Sequence, residues 1–271
     1  MRVYVHKSGF MQDILRHIAK GYVWYIRGVV PAERVVPVAM KLAVKFQTEM
    51  NASRRAYRKA QGRANARLFL HPVQADAFEF VLLMTEGEHA GRITERFRLV
   101  ADKRSRLVFD DRFEAIRMTA TGGTARWTWR LTDEAYAAYG AAVQIGVRKS
   151  DETEIRRVIS MIYGMPGFRG LRRQMVGLLK LLHAEWKRAG KGESCPYAST
   201  QPKGYLRLID IRTIPLDDVV ARIAAGRRAI PSHLVYDRSQ QHGGQAVEVV
   251  YCADSSSHPA AEARHADANG T

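Results

Sequence analysis

The residues of this chain that could do acid–base or metal chemistry are few and sit mostly at turn-like positions. Asp110 and Asp111 stand with Glu114 at the start of a strand-like run, and Glu86, Glu88 and His89 lie in the glycine-rich stretch TEGEHAGRI. A nuclease or polymerase working through Mg²⁺ needs carboxylates that converge on one ion. Adjacent acids on a strand point to opposite faces, so Asp110 and Asp111 share an ion only if the chain turns there. Both clusters have turn composition, which accounts for them without a metal. Metal-free RNA cleavage needs instead a base, an acid and cations around the phosphorane. His6, His17, His71 and Tyr57 are candidate bases, and nothing in their spacing gathers them. His71, just before Pro72, reads as a structural or surface histidine. The G-x-x-x-x-G-K-[ST] phosphate loop, the G-x-S-x-G elbow and a pair of histidines flanking an apolar residue are all absent. No catalytic residue is assigned, and neither a metal nor a cofactor is expected.

Cations, by contrast, abound. Lys and Arg number 43 against 27 Asp and Glu, a net charge of +16 and a pI near 10.1. Such an excess repels itself, and a polyanion relieves it. Nucleic acid, DNA or RNA, is the partner this favours; an acidic protein, an anionic membrane or an arginine-rich composition without a partner are the alternatives. Cys195 and Cys252 make neither a disulfide framework nor a zinc site, which fits a reducing cytoplasm. Arg2 and Lys7 are followed by no apolar core of a signal peptide, and no run of about 18 apolar residues occurs. A cytoplasmic protein without a membrane partner is expected.

The cations concentrate in two blocks. The first is Arg54, Arg55, Arg58, Lys59, Arg63 and Arg67, with no acid from Met50 to Ala75. Like charges this dense disfavour an isolated helix, so the expectation is an exposed, mobile basic loop over 51–67 that a bound polyanion orders. A solvated loop is the plain alternative. The second block is Pro166–Lys191. At 100° per residue Phe168, Leu171, Met175, Leu178, Leu182 and Trp186 share one side of a helix. Arg169, Arg173, Lys180 and Lys187 share the other, with Arg172 and His183 close by. In ARWTWRL, residues 125–131, Trp127 and Trp129 take one face of a strand, and Arg126, Thr128 and Arg130 take an open one. A helix-turn-helix reader would use Arg169, Arg172 and Arg173 at the helix start. A basic row running the helix's full length suits phosphate tracking better. An ordinary helical hairpin with a solvated outer face fits the same residues.

The elements that must position these residues give an α+β class, a mainly antiparallel sheet of about five or six strands with helices before it and a helical hairpin after it. Strands are expected at Arg2 to His6, Tyr22 to Val30, Ala66 to Pro72, Ala77 to Thr85, Leu107 to Phe109, Phe113 to Thr119 and Ala125 to Leu131. FEFVLLMT reads as the sheet centre. A first helix carries Phe10, Ile14, Leu15 and Ile18 inward. Pro37 is expected to interrupt a helical region opened at Pro31, with the firm helix starting there. Thr132 is expected to cap one helix and Ser150 or Asp151 the next, and Thr121-Gly122-Gly123 to turn a hairpin. Beyond Lys191 the pattern weakens to a loop, a strand at Tyr205 to Ile211, a helix at Leu216 to Ala225 and a strand at Gln245 to Tyr251. The organisation is thus 1–131 as the sheet domain, 132–191 as a helical subdomain packed on it, 192–252 as an irregular extension and 253–271 as a disordered tail.

The succession GYVWYIRGVVPAE, SRRAYRKAQGRANARL, WTWRLT and MPGFRGLRRQ, spread over roughly residues 20–190, resembles proteins of unassigned function from conjugative plasmids and integrative elements. It implies DNA handling in a mobile element and assigns no residue a role. The expected function is nucleic-acid binding through phosphates, in plasmid or mobile-element maintenance. The alternatives are a metal-independent RNA endonuclease of the kind that processes CRISPR transcripts, and a basic subunit that docks an acidic protein. The glycine-rich C-terminal loop typical of those endonucleases is missing.

Overall fold

Runs of aromatic and β-branched residues become strands, as their propensity requires. A computed structural model describes residues 1–73, 76–119, 123–198 and 211–235. In it β2 (Tyr22–Pro31), β3 (Ala66–Pro72), β4 (Ala77–Thr85) and β5 (Arg98–Leu99) form an antiparallel sheet in the order β3-β4-β2-β5. FEFVLLMT thus lies in the interior strand β4, as its apolarity demands. A second antiparallel sheet joins β6 (Val108–Phe109), β7 (Phe113–Thr119) and β8 (Ala125–Leu131) in that order. A ribbon pairs β1 (Arg2–Tyr4) with β9 (Thr213–Pro215). The class is α+β with antiparallel pairing. The single sheet of five or six strands is corrected to three separate sheets among the described residues.

The helix α1 (Lys7–Ala19) touches both larger sheets. Phe10, Met11, Ile14 and Ile18 share one buried cluster with Phe69, Val81 and Leu83 of the first sheet and Phe109, Phe113 and Trp129 of the second. The opposite face of the first sheet is covered by α2 (Ala32–Phe46) and α8 (Leu216–Ala224), where Val35, Ala39 and Val219 bury Leu70 and Phe78. With both faces covered, β2 has no reason to alternate apolar with polar.

Helix α2 runs through Pro37, so the expected interruption there is corrected. The proline removes one backbone hydrogen bond near the helix start, and burial of Val35 and Ala39 on either side holds the helix together.

The helical hairpin follows its expected lines. Thr132 accepts a hydrogen bond from Ala135 N to cap α5 (Asp133–Lys149), and Asp151 accepts one from Glu154 N to cap α6 (Glu152–Tyr163). In α7 (Arg169–Arg188) all of Leu171, Met175, Leu178, Leu182 and Trp186 are buried, with Phe168 just before it. Both α5 and β8 receive that face. Gly170 makes the close approach possible. A Cβ there would stand 2.5 Å from the Trp129 carbonyl oxygen, and its N–H donates to Thr128 Oγ1 at 3.1 Å.

Charged groups also link the two sheets. Buried Glu79 of β4 receives Arg27 at 3.1 Å and the Asp110 N–H at 2.9 Å, while Asp110 holds Lys7 at 2.7 Å and Arg112 at 2.6 Å. Asp110 and Asp111 form a turn with φ of 52° and 45°, a left-handed conformation that Asp tolerates better than most residues. The strand expected at Tyr205 to Ile211 falls almost wholly outside the described residues. The Thr121-Gly122-Gly123 turn does so in part, and the strand at Gln245 to Tyr251 and the tail 253–271 lie entirely outside them.

Candidate nucleic-acid interface

The first basic block folds as a helix, α3 (Ala52–Ala60), which corrects the expected loop over 51–67. Asn51 caps it by accepting from Arg54 N at 2.9 Å. Arg58 and Lys59 sit in its last turn, where the helix dipole favours cations. Further restraints come from outside the helix. Asn65 Nδ2 donates to the Arg55 carbonyl at 2.9 Å, and Arg58 reaches Gln47 Oε1 at 2.6 Å and the Ala64 carbonyl at 2.9 Å. Arg55 donates to the Met50 carbonyl. No residue of α3 is buried, so the helix is a surface rib fastened by polar bonds.

Among the described residues none of Arg54, Arg55, Arg58, Lys59, Arg63 and Arg67 makes an ion pair with a carboxylate. Arg54, Lys59 and Arg63 are exposed, and Arg55, Arg58 and Arg67 are half-buried. The charges of Arg55 of α3 and Arg67 of β3 also act on the Tyr22 phenol. Burial pushes that phenol up, and the two guanidinium groups act in the opposite direction.

The ring of His17 stands edge-on to Tyr22 with centroids 5.3 Å apart. Its Nδ1–H donates to the Asp13 carbonyl at 2.8 Å. A carbonyl only accepts, so in the neutral ring Nε2 is the basic nitrogen. Burial pushes the Asp13 carboxyl up, but hydrogen bonds from His17 and Tyr4 outweigh it and hold the group below its usual range. Sequence spacing gave no sign that His17 packs on Tyr22 or that Arg55 and Arg67 act on that phenol.

The other candidates divide. On α7, Arg169, Arg173, Lys180 and Lys187 are exposed along one row, as expected. Arg169 donates to the Thr119 carbonyl at 2.8 Å and Lys187 pairs with Glu193 at 2.8 Å; Arg172 is half-buried. Arg126 of β8 is exposed. Arg130 is held by Glu114 at 2.5 Å and Asp133 at 3.2 Å, and Thr128 is buried under Gly170. The expected open face of β8 is therefore partly closed by the start of α7.

The acidic clusters have structural partners. Glu114 binds Arg106 and Arg130, and His89 stacks on Phe46 at 5.2 Å while accepting from Gly91 N. His71 is buried, 3.0 Å from the Tyr4 carbonyl through Nδ1 and stacked on Phe10. Among the described residues no group of three His, Cys, Asp or Glu side chains could hold a metal ion, and no helix is long and apolar enough to cross a membrane. No family model, curated protein or solved structure matches the chain.

Proposed function

We propose that this protein binds nucleic acid by its phosphates, with α3 as the principal contact and the exposed row of α7 as a second one, in the maintenance of a plasmid or other mobile element. The observation that carries the reading is α3 itself. A helix that buries nothing contributes little to a core, yet its position is fixed by Asn65 and Arg58, and among the described residues the six cations on and beside it make no ion pair with a carboxylate. Fixed cations without counter-charges release counterions when they meet phosphates, which is the main source of non-specific affinity. Anisotropy titrations of labelled DNA and RNA over a range of salt test it. Six contacts give a log–log slope of roughly −5 on duplex and about −4 on single strands. Absence of binding at about 50 mM salt, where such affinity is strong, would exclude the reading.

A second reading, metal-independent RNA cleavage, is favoured by His17. Its Nε2 could take the proton of a 2′-hydroxyl as that oxygen attacks phosphorus and the P–O5′ bond breaks, while Arg55 and Arg67 balance the phosphorane charge. The products would be a 2′,3′-cyclic phosphate and a 5′-hydroxyl that takes its proton from water. Cleavage of RNA in EDTA that disappears in His17→Ala would favour this reading; intact RNA would dismiss it.

A further inference from the structure

Beside α3 lies a groove of about 550 Å³ between the end of α2 and the outer side of α3. That volume falls within the range of small-ligand sites, roughly 300–1,000 Å³. Gln47, Glu49, Met50, Arg54, Tyr57 and Arg58 line it. Tyr57 is 65% exposed, and no ring contact or hydrogen bond of its side chain occurs among the described residues. A large aromatic ring left in water between two arginines contributes nothing to the core. It has the arrangement of a stacking platform, in which a flat apolar face takes a base and flanking cations take the phosphates on either side.

We infer that this groove holds one unpaired nucleobase stacked on Tyr57, so that the protein's ligand is single-stranded nucleic acid or a single-stranded segment within a larger one. The inference rests on the phosphate-binding reading and narrows it. Arg54, exposed and without an ion pair to a carboxylate among the described residues, takes the neighbouring phosphate. Arg58 is held by Gln47 and the Ala64 carbonyl, so it acts through its charge and keeps the groove's wall in place. Glu49 stands in the same groove and repels phosphate, which leaves it the base edge. A carboxylate there accepts from an exocyclic amino group, favouring cytosine, adenine or guanine over uracil and thymine. Near the groove, Met40 and Val44 of α2 share one face by their four-residue spacing and are 54% and 78% exposed. A base pair inside a duplex hides its faces in the stack, so only an unpaired base reaches this surface.

The test compares Tyr57→Ala and Tyr57→Phe with the unaltered protein on short labelled single strands and on a duplex of the same length. Loss of one base–aromatic stack weakens single-strand binding by roughly 5- to 150-fold in Tyr57→Ala, with Tyr57→Phe close to the unaltered protein and duplex binding unchanged. The salt slope stays the same in Tyr57→Ala and falls by roughly 0.7 in Arg54→Ala on single strands. A fluorescent adenine analogue in the strand is quenched on binding, and the quenching is lost in Tyr57→Ala. Equal weakening of single strands and duplex, or no weakening of either, overturns the inference and leaves phosphate binding standing. Displacement of the strand more readily by polyglutamate than by inorganic polyphosphate of matched charge also overturns the inference, and would make the groove a site for an acidic protein. Failure of every nucleic acid to bind removes the underlying reading as well.

Discussion

The indole N–H of Trp129 donates to the carbonyl oxygen of Met11 at 2.9 Å, joining the second sheet to the helix that also lines the first. Trp129 is completely buried and Met11 belongs to the same apolar cluster. One polar bond inside an apolar seam fixes the position of α1 against β8, since sliding either element would strand a buried donor. Trp129→Phe removes the donor and part of the ring volume together. The expected loss is about 2–4 kcal/mol in urea unfolding, combining a broken buried hydrogen bond with a small cavity.

On α7 the two faces separate stability from binding. Leu178 is fully buried, and Leu178→Ala costs about 2–5 kcal/mol. Arg173 is exposed, so Arg173→Glu leaves the melting temperature within a degree or two, on the order of ±0.5 kcal/mol, and weakens nucleic-acid binding. Thermal melts and anisotropy on the same two variants check both statements. A charge reversal that unfolds the protein would show that the row is inward.

The α3 rib gives a sharper electrostatic outcome. Arg54→Glu, Lys59→Glu and Arg63→Glu together reduce the steepness of the salt slope on duplex by roughly 3, since each lost phosphate contact is worth about 0.9. The fold is unaffected, because these side chains are exposed and, among the described residues, make no ion pair with an acid. Circular dichroism and the salt titration are the two measurements.

His71 makes stability depend on pH. Burial pushes its imidazole down to about 4 from an ordinary 6.5; Lys7 and His6 act in the same direction, and the Tyr4 carbonyl and Asp110 oppose it. The folded state therefore resists protonation that the unfolded chain accepts. The contribution is fully present above pH 6.5 and is lost as pH falls through the folded value near 4, at up to about 1.4 kcal/mol per pH unit. Urea unfolding between pH 7.5 and pH 4.5 should show this fall, at up to about 1.4 kcal/mol per unit, with a shallower one in His71→Gln.

The parts of the fold written in local periodicity were the ones legible from sequence. The stripe from Phe168 to Trp186 repeats at helical spacing, and β3, β4, β7 and β8 end at the expected residues, because each signal is contained in its own segment. Helix α3 was not legible. Its local chemistry, a run of arginines, argues against a helix, and it is held by Asn65 and by the Ala64 carbonyl, which lie past Gly62. Only the Asn51 cap was a local sign. The acid Glu79 also escaped notice inside the apolar run FEFVLLMT, although a carboxylate in a doubly covered strand must find a cation. Its partners, Arg27 and the Asp110 amide, come from distant segments. The site behaved likewise. The exposed row of α7 followed from periodicity, whereas the packing of His17 on Tyr22, and the action of Arg55 and Arg67 on that phenol, depend on how α3, β3 and α1 pack in space.

The ribbon of β1 and β9 has a consequence in time. Arg2 pairs with Pro215 and Tyr4 with Thr213, so β1 leaves the ribosome with its partner more than 200 residues behind it. At roughly 5–20 residues per second, synthesis of that interval takes on the order of 10–40 s. For that interval β1 packs beside β3 and α1, through contacts such as Tyr4 with His71 and Phe10, while the edge that β9 will cover stays open. The β1 edge closes only once β9 is made, and a nascent chain stalled before residue 213 would expose it to pairing with a neighbour.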